Sequence, residues 1–307
     1  EITAWSKQPG WARARRERLA MISSGRTALQ GNDDFLSGKV AQFKQRKTYQ
    51  RALSPQELIQ AQLNTNFRIM EQIRARIDAI VKDPTTAAAL KPYYPYGCKR
   101  PTFHDEFLPT FNLPHVTLVD TAPLGVASIN ARGVVHDGVE YPLDVLIFAT
   151  GFQWMATATF NMITGRGGRT LRDKWRSDGV KTFLGLHSHG FPNLFIMSGP
   201  QSGGGQFNFT RGIEGHTDYV VWMLETMRAR GDGIVDIKRE PEIAYAEHCR
   251  DADILTRPLR DCLSYYNGEG EAEPGSLAYY GGPEKWHALR SAAQETLEPY
   301  VFEAAPV

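Results

Sequence analysis

The sequence lacks the glycine fingerprints that mark most nucleotide-binding folds. Although it contains 28 glycines, none of its 307 residues falls into a GxGxxG or a GxxxxGK[ST] pattern. Both patterns place backbone N–H groups at the start of a helix, where they hold a pyrophosphate or a phosphate. A self-sufficient dinucleotide-binding domain and a P-loop nucleotide site are therefore excluded for this chain.

Cysteine is scarce as well, with only Cys98, Cys249 and Cys262. They are far apart in sequence, odd in number and form no CxxC pair. This favours reduced thiols in a cytosolic protein over a disulfide framework. We expect a structural role for all three.

An excess of charge and long apolar runs are also absent. The 35 basic and 34 acidic residues leave a formal charge of +1, so no overall field favours nucleic acid or a membrane surface. The basic stretch at residues 7–19 is typical of a solvated helix face. No apolar run approaches the roughly 18 residues that span a bilayer, and no signal peptide is recognisable. We predict a soluble, cytoplasmic protein without nucleic-acid or membrane partners.

Helical signals dominate residues 1 to 92. Ser54, Pro55 and Glu57 form a capping box with proline at the first helical position. Apolar residues then recur every three or four positions, which predicts one long amphipathic helix ending near Asp83 and Pro84. The apolar positions are Ile59, Leu63, Phe67, Met70, Ile73, Ile77 and Ile80.

Short β-like runs follow from residue 115. The continuous apolar run DVLIFA at 144–149 predicts a strand buried on both faces of a sheet. The runs at 115–119, 125–129 and 133–136 predict a small meander that leads to it. A second buried strand is predicted at 193–199, followed by the glycine-rich stretch 199–210 and a helix, with further helices at 241–256 and 283–298. The alternation indicates an α/β fold.

Four stretches occur in a fixed order, namely PYGCKRP at 95–101, DVLIFATGF at 144–152, FLGLHSHGFPNLFIMSGP at 183–200 and YYNGEGE at 265–271. Together they resemble the C-terminal half of class B flavoprotein monooxygenases, in particular the Baeyer-Villiger monooxygenases. The helical segment with PGWARARRERL is similar to the start of the helical insertion in members that act on bulky or polycyclic ketones. The resemblance covers essentially the whole chain but about half of a typical member.

The resemblance implies part of an α/β fold with two dinucleotide-binding domains and a helical insertion. Residues 1–92 would be the insertion region, 93–150 the C-terminal part of the NADP-binding domain, and 151–307 the C-terminal part of the FAD-binding domain. The implied cofactors are FAD and NADPH. The implied reaction inserts one oxygen atom of O2 beside a ketone carbonyl and yields an ester or a lactone.

The resemblance also implies a catalytic role for Arg100. The family's oxygenation passes through anionic oxygen species beside the flavin, and a guanidinium stays charged near neutral pH and cannot protonate them. Lys99 resembles the family lysine that contacts the adenosine 2′-phosphate, which favours NADPH over NADH. From the residues alone, a solvated Lys-Arg pair in a loop is the alternative.

Further cofactor-binding positions are carried over from the family motifs. Small residues at 149–151 would let the backbone pass close to a cofactor, and Tyr265 lies where many relatives carry a tryptophan near the nicotinamide ribose. The cofactor-binding candidates are Lys99, Thr150, Gly151, Asn208, Phe209 and Tyr265. The substrate-pocket candidates are Gly205 and Gln206; a merely flexible glycine loop is the alternative there.

His187 and His189 in HSHG invite a metal interpretation. Two imidazoles without carboxylate or cysteine partners in the same stretch make a poor metal site. We therefore predict loop or surface histidines and no metal.

The family's two glycine fingerprints and the histidine-containing signature between them are absent. The implied partner is an N-terminal half that carries both fingerprints, either as a separate chain of a split enzyme or as the missing segment of a longer or proteolysed one. Two other functions stay open: an N- or S-oxygenating flavin monooxygenase, which would share the Ala-Thr-Gly strand but not the Cys-Lys-Arg segment, and a non-catalytic subunit that retains the fold.

Overall fold

The computed structural model describes residues 7–11, 14, 54–99, 102, 104–151, 159–202, 209–256, 262–264, 266 and 277–305. The chain divides into two compact units, residues 1–73 and 74–307. The predicted domain boundaries at residues 92 and 150 stay a prediction. Among the described helices, none combines the length and the apolar character that a bilayer-spanning segment needs.

Helix α1, Pro55–Ile80, begins in the first unit and ends in the second. Its start confirms the predicted capping box, because the Glu57 N–H donates to Ser54 Oγ at 3.3 Å and the Ser54 N–H donates to the Glu57 carboxylate at 2.9 Å. The helix ends at Ile80, earlier than predicted. Asp83 instead caps the next helix, α2, by accepting the Thr86 N–H at 2.7 Å, and these hydrogen bonds lower the pKa of Asp83.

The other elements belong to the second unit. The helices are α2 Pro84–Leu90, α3 Phe107–Thr110, α4 Thr159–Met162, α5 Leu171–Asp178, α6 Phe209–Arg230, α7 Arg239–Thr256 and α8 Pro283–Thr296, with a short 3-10 turn at Arg166–Gly168. The strands are β1 Ser128–Ile129, β2 Gly133–His136, β3 Val139–Pro142, β4 Ile234–Ile237 and β5 Tyr300–Glu303. The predicted helices at 241–256 and 283–298 are thus confirmed, with ends that differ by two residues.

Strands β1, β2 and β3 form an antiparallel meander in sequence order. Val134 lies opposite Ile129 on one side and Tyr141 on the other. Asp137 and Gly138 both have positive φ, 47° and 76°, as a two-residue hairpin turn requires. The meander confirms the prediction for 133–136 and, in its last two residues, for 125–129.

Three predicted strands, at 115–119, 144–149 and 193–199, were wrong as strands, because the described chain forms no ladder there. A strand needs a continuous ladder of hydrogen bonds to a neighbouring backbone. Within 193–199 the described chain makes only single bonds of this kind, such as those from the Asn193 N–H to the Val235 carbonyl and from the Ile196 N–H to the Leu186 carbonyl, both at 2.8 Å. The apolar run at 144–149 is exposed to solvent, since Val145, Ile147 and Phe148 are 72%, 83% and 69% exposed. Residues 194–196 are half-buried.

The main core lies where α6, α7 and α8 meet the β4–β5 pair. It is rich in aromatic residues, with Tyr219, Tyr245, Tyr279, Trp286 and Tyr300 all buried. Strands β4 and β5 are antiparallel, with Val235 opposite Phe302. A smaller cluster of Leu171, Trp175 and Phe191 packs α5 onto residues 187–191, here called the HSHGF loop. These two clusters hold the segments that flank the glycine-rich loop.

Candidate functional site

A disulfide joins Cys98 of the PYGCKRP motif to Cys262, which lies three residues before the YYNGEGE motif. The cysteines are 164 residues apart in sequence and their Cα atoms are 6.2 Å apart. The prediction of three reduced thiols was therefore wrong for this pair, because wide spacing in sequence does not exclude proximity in the fold. The bond holds the Cys-Lys-Arg segment beside the segment that leads into YYNGEGE.

Lys99 lies next to this bond on the surface. Its side chain is exposed, and its ammonium nitrogen lies 5.2 Å from the centre of the Tyr94 ring. The backbone before it is folded into a turn, since the Cys98 N–H donates to the Pro95 carbonyl at 3.0 Å. The exposed ammonium group thus lies over an aromatic face. Arg100 and Tyr265 lie outside the described residues.

Thr150 and Gly151 end the exposed apolar run, and both are exposed themselves. Gly151 has φ +93°, and no heavy atom of the described chain lies within 4 Å of where a Cβ would stand. The glycine is therefore needed for its backbone conformation. The described chain leaves the space beside it open, as a passing cofactor or neighbouring segment would require.

The start of the glycine-rich loop is held by side chains that the sequence did not reveal. Gln201 is buried; its Oε1 accepts from the N–H and the hydroxyl of Thr182 at 2.9 and 2.8 Å, and its carbonyl oxygen accepts from the Tyr245 hydroxyl at 2.8 Å. The Ser198 N–H donates to His216 Nδ1 at 3.2 Å. The sequence alone predicts Gln201 to be an ordinary polar loop residue, so no sequence signal indicates that it anchors the start of the glycine-rich loop.

His216 contributes to the same anchor from helix α6. Its ring lies 5.4 Å from that of Trp286, and burial lowers the pKa of His216 to about 4. The imidazole is therefore neutral at pH 7 and can accept the Ser198 N–H. Residues 198–202 are thus fixed in position before the loop begins.

Phe209 is the first residue of α6 and is 57% exposed. The other candidates of this region, Gly205, Gln206 and Asn208, lie outside the described residues. The structure therefore brings Cys98 and Lys99 close to Cys262 through the disulfide, and it fixes residues 198–202 before the glycine-rich loop.

His187 and His189 lie in a loop, but His187 is buried rather than at the surface. Its Nε2 lies 2.9 Å from the Tyr219 hydroxyl, which in turn lies 2.7 Å from the Tyr300 hydroxyl. Burial lowers the pKa of His187 to about 4. Within the described ranges, no group of three or more His, Cys, Asp or Glu side chains could hold a metal ion.

A cavity of about 450 Å³ opens beside the HSHGF loop. Its floor is a buried ion pair, in which Lys174 Nζ lies 2.7 and 2.9 Å from the two carboxylate oxygens of Glu242. The rim includes Arg166 and Arg169, both paired with carboxylates. Because the lining is mostly charged, this cavity does not suit an apolar ketone.

The known proteins that this chain resembles are Baeyer-Villiger monooxygenases and related monooxygenases. No protein-family model matches the chain. A Baeyer-Villiger monooxygenase from Streptomyces coelicolor is 41% identical over 249 residues, which cover 78% of this chain and 40% of the relative. The solved polycyclic ketone monooxygenase of Thermothelomyces thermophila superposes with a TM-score of 0.79 at 32% identity, covering 97% of this chain and 51% of the other.

A solved steroid monooxygenase described as bound to NADP superposes with a TM-score of 0.68 at 27% identity, covering 79% of this chain and 45% of the other. The chain thus spans about half the length of the relatives that it matches. These neighbours are two-domain flavoproteins, and the described part of this chain is a partial fold of that α/β class. The chain is a homologue of the C-terminal half of the Baeyer-Villiger monooxygenases, as the order of its motifs predicted.

Proposed function

We propose that this chain is the C-terminal part of an FAD- and NADPH-dependent Baeyer-Villiger monooxygenase, which inserts one oxygen atom of O2 beside a ketone carbonyl and gives an ester or a lactone. The observation that carries the proposal is the superposition on the polycyclic ketone monooxygenase over 97% of the chain. That relative's name also favours a bulky or cyclic ketone as the substrate. The chain works with an N-terminal segment that carries the two glycine fingerprints.

The described residues fit the two cofactors at three places. Lys99 presents an exposed ammonium, which suits a phosphate as a point charge. Gly151 turns the chain with open space beside it. Phe209 exposes its ring at the first turn of α6, where a planar ring system can pack against it. When bound, NADPH supplies electrons to FAD, and the reduced flavin supplies the activated oxygen.

The exposed apolar run at 144–149 supports the need for an N-terminal segment. Val145, Ile147 and Phe148 together expose a surface that a stable protein normally buries. Among the described residues the backbone of this run has no strand partner, and an unpaired backbone can be extended into a sheet by other strands. An N-terminal segment with two dinucleotide-binding halves would supply such strands.

These positions support the roles proposed for Lys99 and residues 198–202, and the family motif supports the role proposed for Arg100. Lys99 binds and orients the nucleotide. Residues 198–202, held by hydrogen bonds, set the position of the following loop, in which Gly205, Gln206 and Asn208 would contact the substrate. Arg100 holds a positive charge beside the oxygen that becomes anionic as the ketone reacts. Because a guanidinium keeps its protons near neutral pH, it stabilises that charge without giving up a proton.

The test is the variant Arg100→Ala in the complete protein, with Arg100→Lys beside it. We expect ketone oxygenation to fall at least about 100-fold in Arg100→Ala, by analogy with other lost donors to an anionic centre. NADPH should still reduce the flavin. The matched control is Arg132→Ala, whose side chain pairs with Glu140 in the meander and should leave the rate unchanged.

The contrary result would be an Arg100→Ala protein that oxygenates a sulfide or an amine at the full rate. That outcome would favour the N- or S-oxygenating alternative. A protein that binds FAD and is reduced by NADPH but oxygenates nothing in its unaltered form would favour the non-catalytic subunit.

A further inference from the structure

The Cys98–Cys262 pair is the feature that the proposed reaction does not use. It links segments 164 residues apart, and its Cα separation of 6.2 Å lies within the range that disulfides adopt. Cys98 is 1% exposed whereas Cys262 is partly exposed, so Cys262 is the more accessible residue of the pair. Cys262 can thus react with a solute, while Cys98 is buried next to it and can react with Cys262.

We propose that Cys98 and Cys262 form a reversible dithiol–disulfide site, which hydrogen peroxide closes and a thiol reductant opens, and that the closed form binds NADPH more tightly. The second half of this inference rests on the proposed function. The first half concerns only the cysteines and holds or fails by itself.

The oxidation balances with one molecule of hydrogen peroxide. The Cys262 sulfur, being the accessible one, attacks the peroxide and becomes a sulfenic acid, with one water released. The Cys98 sulfur then attacks that sulfur, the S–O bond breaks, and a second water leaves. Two thiols have lost two electrons and two protons, and the peroxide has become two waters. A thiol reductant reverses the change by thiol–disulfide exchange.

The effect on NADPH follows from the position of Lys99. This lysine is bonded to Cys98, so the disulfide fixes the backbone that carries its ammonium group. Fixing a binding side chain before the ligand arrives lowers the entropic cost of binding. Opening the pair releases that constraint, so the reduced protein should bind NADPH less tightly.

The third cysteine provides an internal reference. Cys249 is fully buried in the core formed by α6, α7 and α8, and burial raises the pKa of its thiol to about 12. A buried thiol without thiolate character reacts slowly with peroxide and with disulfides. It should remain a thiol in both states of the protein.

The first experiment counts thiols in the chain. After treatment with hydrogen peroxide and quenching, alkylation in denaturant should label one of the three cysteines, and after a thiol reductant all three. Cys262→Ser should show two labelled thiols under both conditions, while the control Cys249→Ala should change from two to none. Labelling of all three cysteines after peroxide, or a cross-link that contains Cys249, would overturn the site.

The second experiment measures the KM for NADPH in the complete protein in both states. Reduction should raise KM about 2- to 10-fold with little change in kcat, and Cys262→Ser should show the higher KM whether or not reductant is present. An equal KM in both states would overturn the control of NADPH binding while the thiol counts stand. If the complete protein never oxidises NADPH, the proposed function fails, the control of NADPH binding fails with it, and the thiol counts alone still decide the cysteine site.

Discussion

At the scale of single residues, the buried ion pair of Lys174 and Glu242 needs hydrogen-bond partners from its surroundings, because its two charges are removed from water. Lys174 Nζ also donates to Ser188 Oγ and to the His189 carbonyl, both at 2.8 Å, and Glu242 Oε1 accepts from the His189 N–H at 2.9 Å. The pair is therefore fully satisfied and joins α5, the HSHGF loop and α7. Burial lowers the pKa of Lys174 against the opposing effect of Glu242.

We predict that Lys174→Ala lowers the free energy of unfolding by about 3–5 kcal/mol, because a buried carboxylate loses its counter-charge. Lys238→Ala removes an exposed pair with Glu298 and should cost at most about 1 kcal/mol. Urea unfolding followed by tryptophan fluorescence measures both. Equal losses for the two variants would contradict the structural role of the buried pair.

His187 and His216 should make the stability depend on pH. The pKa of each falls from 6.5 to about 4 on burial, so between these values the unfolded chain binds more protons than the folded chain. Stability is then present above pH 6.5 and is lost as the pH falls toward 4. Between pH 7.5 and pH 5 each histidine should account for a loss of about 2 kcal/mol.

The variant His187→Gln tests this assignment. It cannot take up a proton at this position, so its stability should decrease less between pH 7.5 and pH 5 than that of the unaltered chain. His104→Gln replaces an exposed histidine and should leave the pH dependence as it was. Parallel pH profiles for all three proteins, from urea midpoints, would refute the role of His187.

At the scale of elements, the base of the glycine-rich loop depends on close packing at Gly185. This residue has φ +71°, and a Cβ built there would overlap the backbone of Ser202. Gly190, in the same motif, has φ +84° but open space around a Cβ. The two positions therefore separate the cost of backbone strain from the cost of a displaced loop.

We predict that Gly190→Ala costs about 1–2 kcal/mol of stability from its left-handed backbone and leaves flavin binding intact in the complete protein. Gly185→Ala should cost more and should also reduce the flavin content, because Ser202 and the loop after it must move. Urea midpoints and flavin absorbance of the purified variants are the measurements. Full flavin content in Gly185→Ala would show that the loop does not depend on this contact.

Local sequence signals predicted the helices and strands whose ends are set by contacts between residues close in sequence. The capping box predicted the start of α1, and strand β2 and the helices predicted at 241–256 and 283–298 were found with ends that differ by at most two residues. The run at 144–149 was predicted from its composition as a buried strand, yet it pairs with no described residue. Any strand that buries it lies outside the described residues, and no local pattern indicates where that strand is.

The candidate site was predictable only where a motif carried it. The four motifs led to the family, but Gln201 and His216 act through contacts across the fold, and neither has a local signature. The Cys98–Cys262 pair was missed for the same reason, because 164 residues separate its members. Tertiary proximity of this kind becomes visible only in the structure.

At the scale of the whole molecule, the exposed apolar run and the absent glycine fingerprints have one common explanation. If the proposed function holds, both belong to a sheet and to cofactor sites that this chain and an N-terminal segment complete together. The isolated chain should expose Val145, Ile147 and Phe148 to solvent, and an N-terminal segment should cover them when it binds.

The most direct measurement is the reconstitution of the chain with an N-terminal segment that carries both fingerprints. Flavin content, NADPH oxidation and lactone formation from a cyclic ketone are followed with the chain present and with the chain left out. We expect bound FAD and a lactone only when both parts are present. An N-terminal segment that makes the lactone equally well alone, or a mixture that binds no flavin, would contradict it.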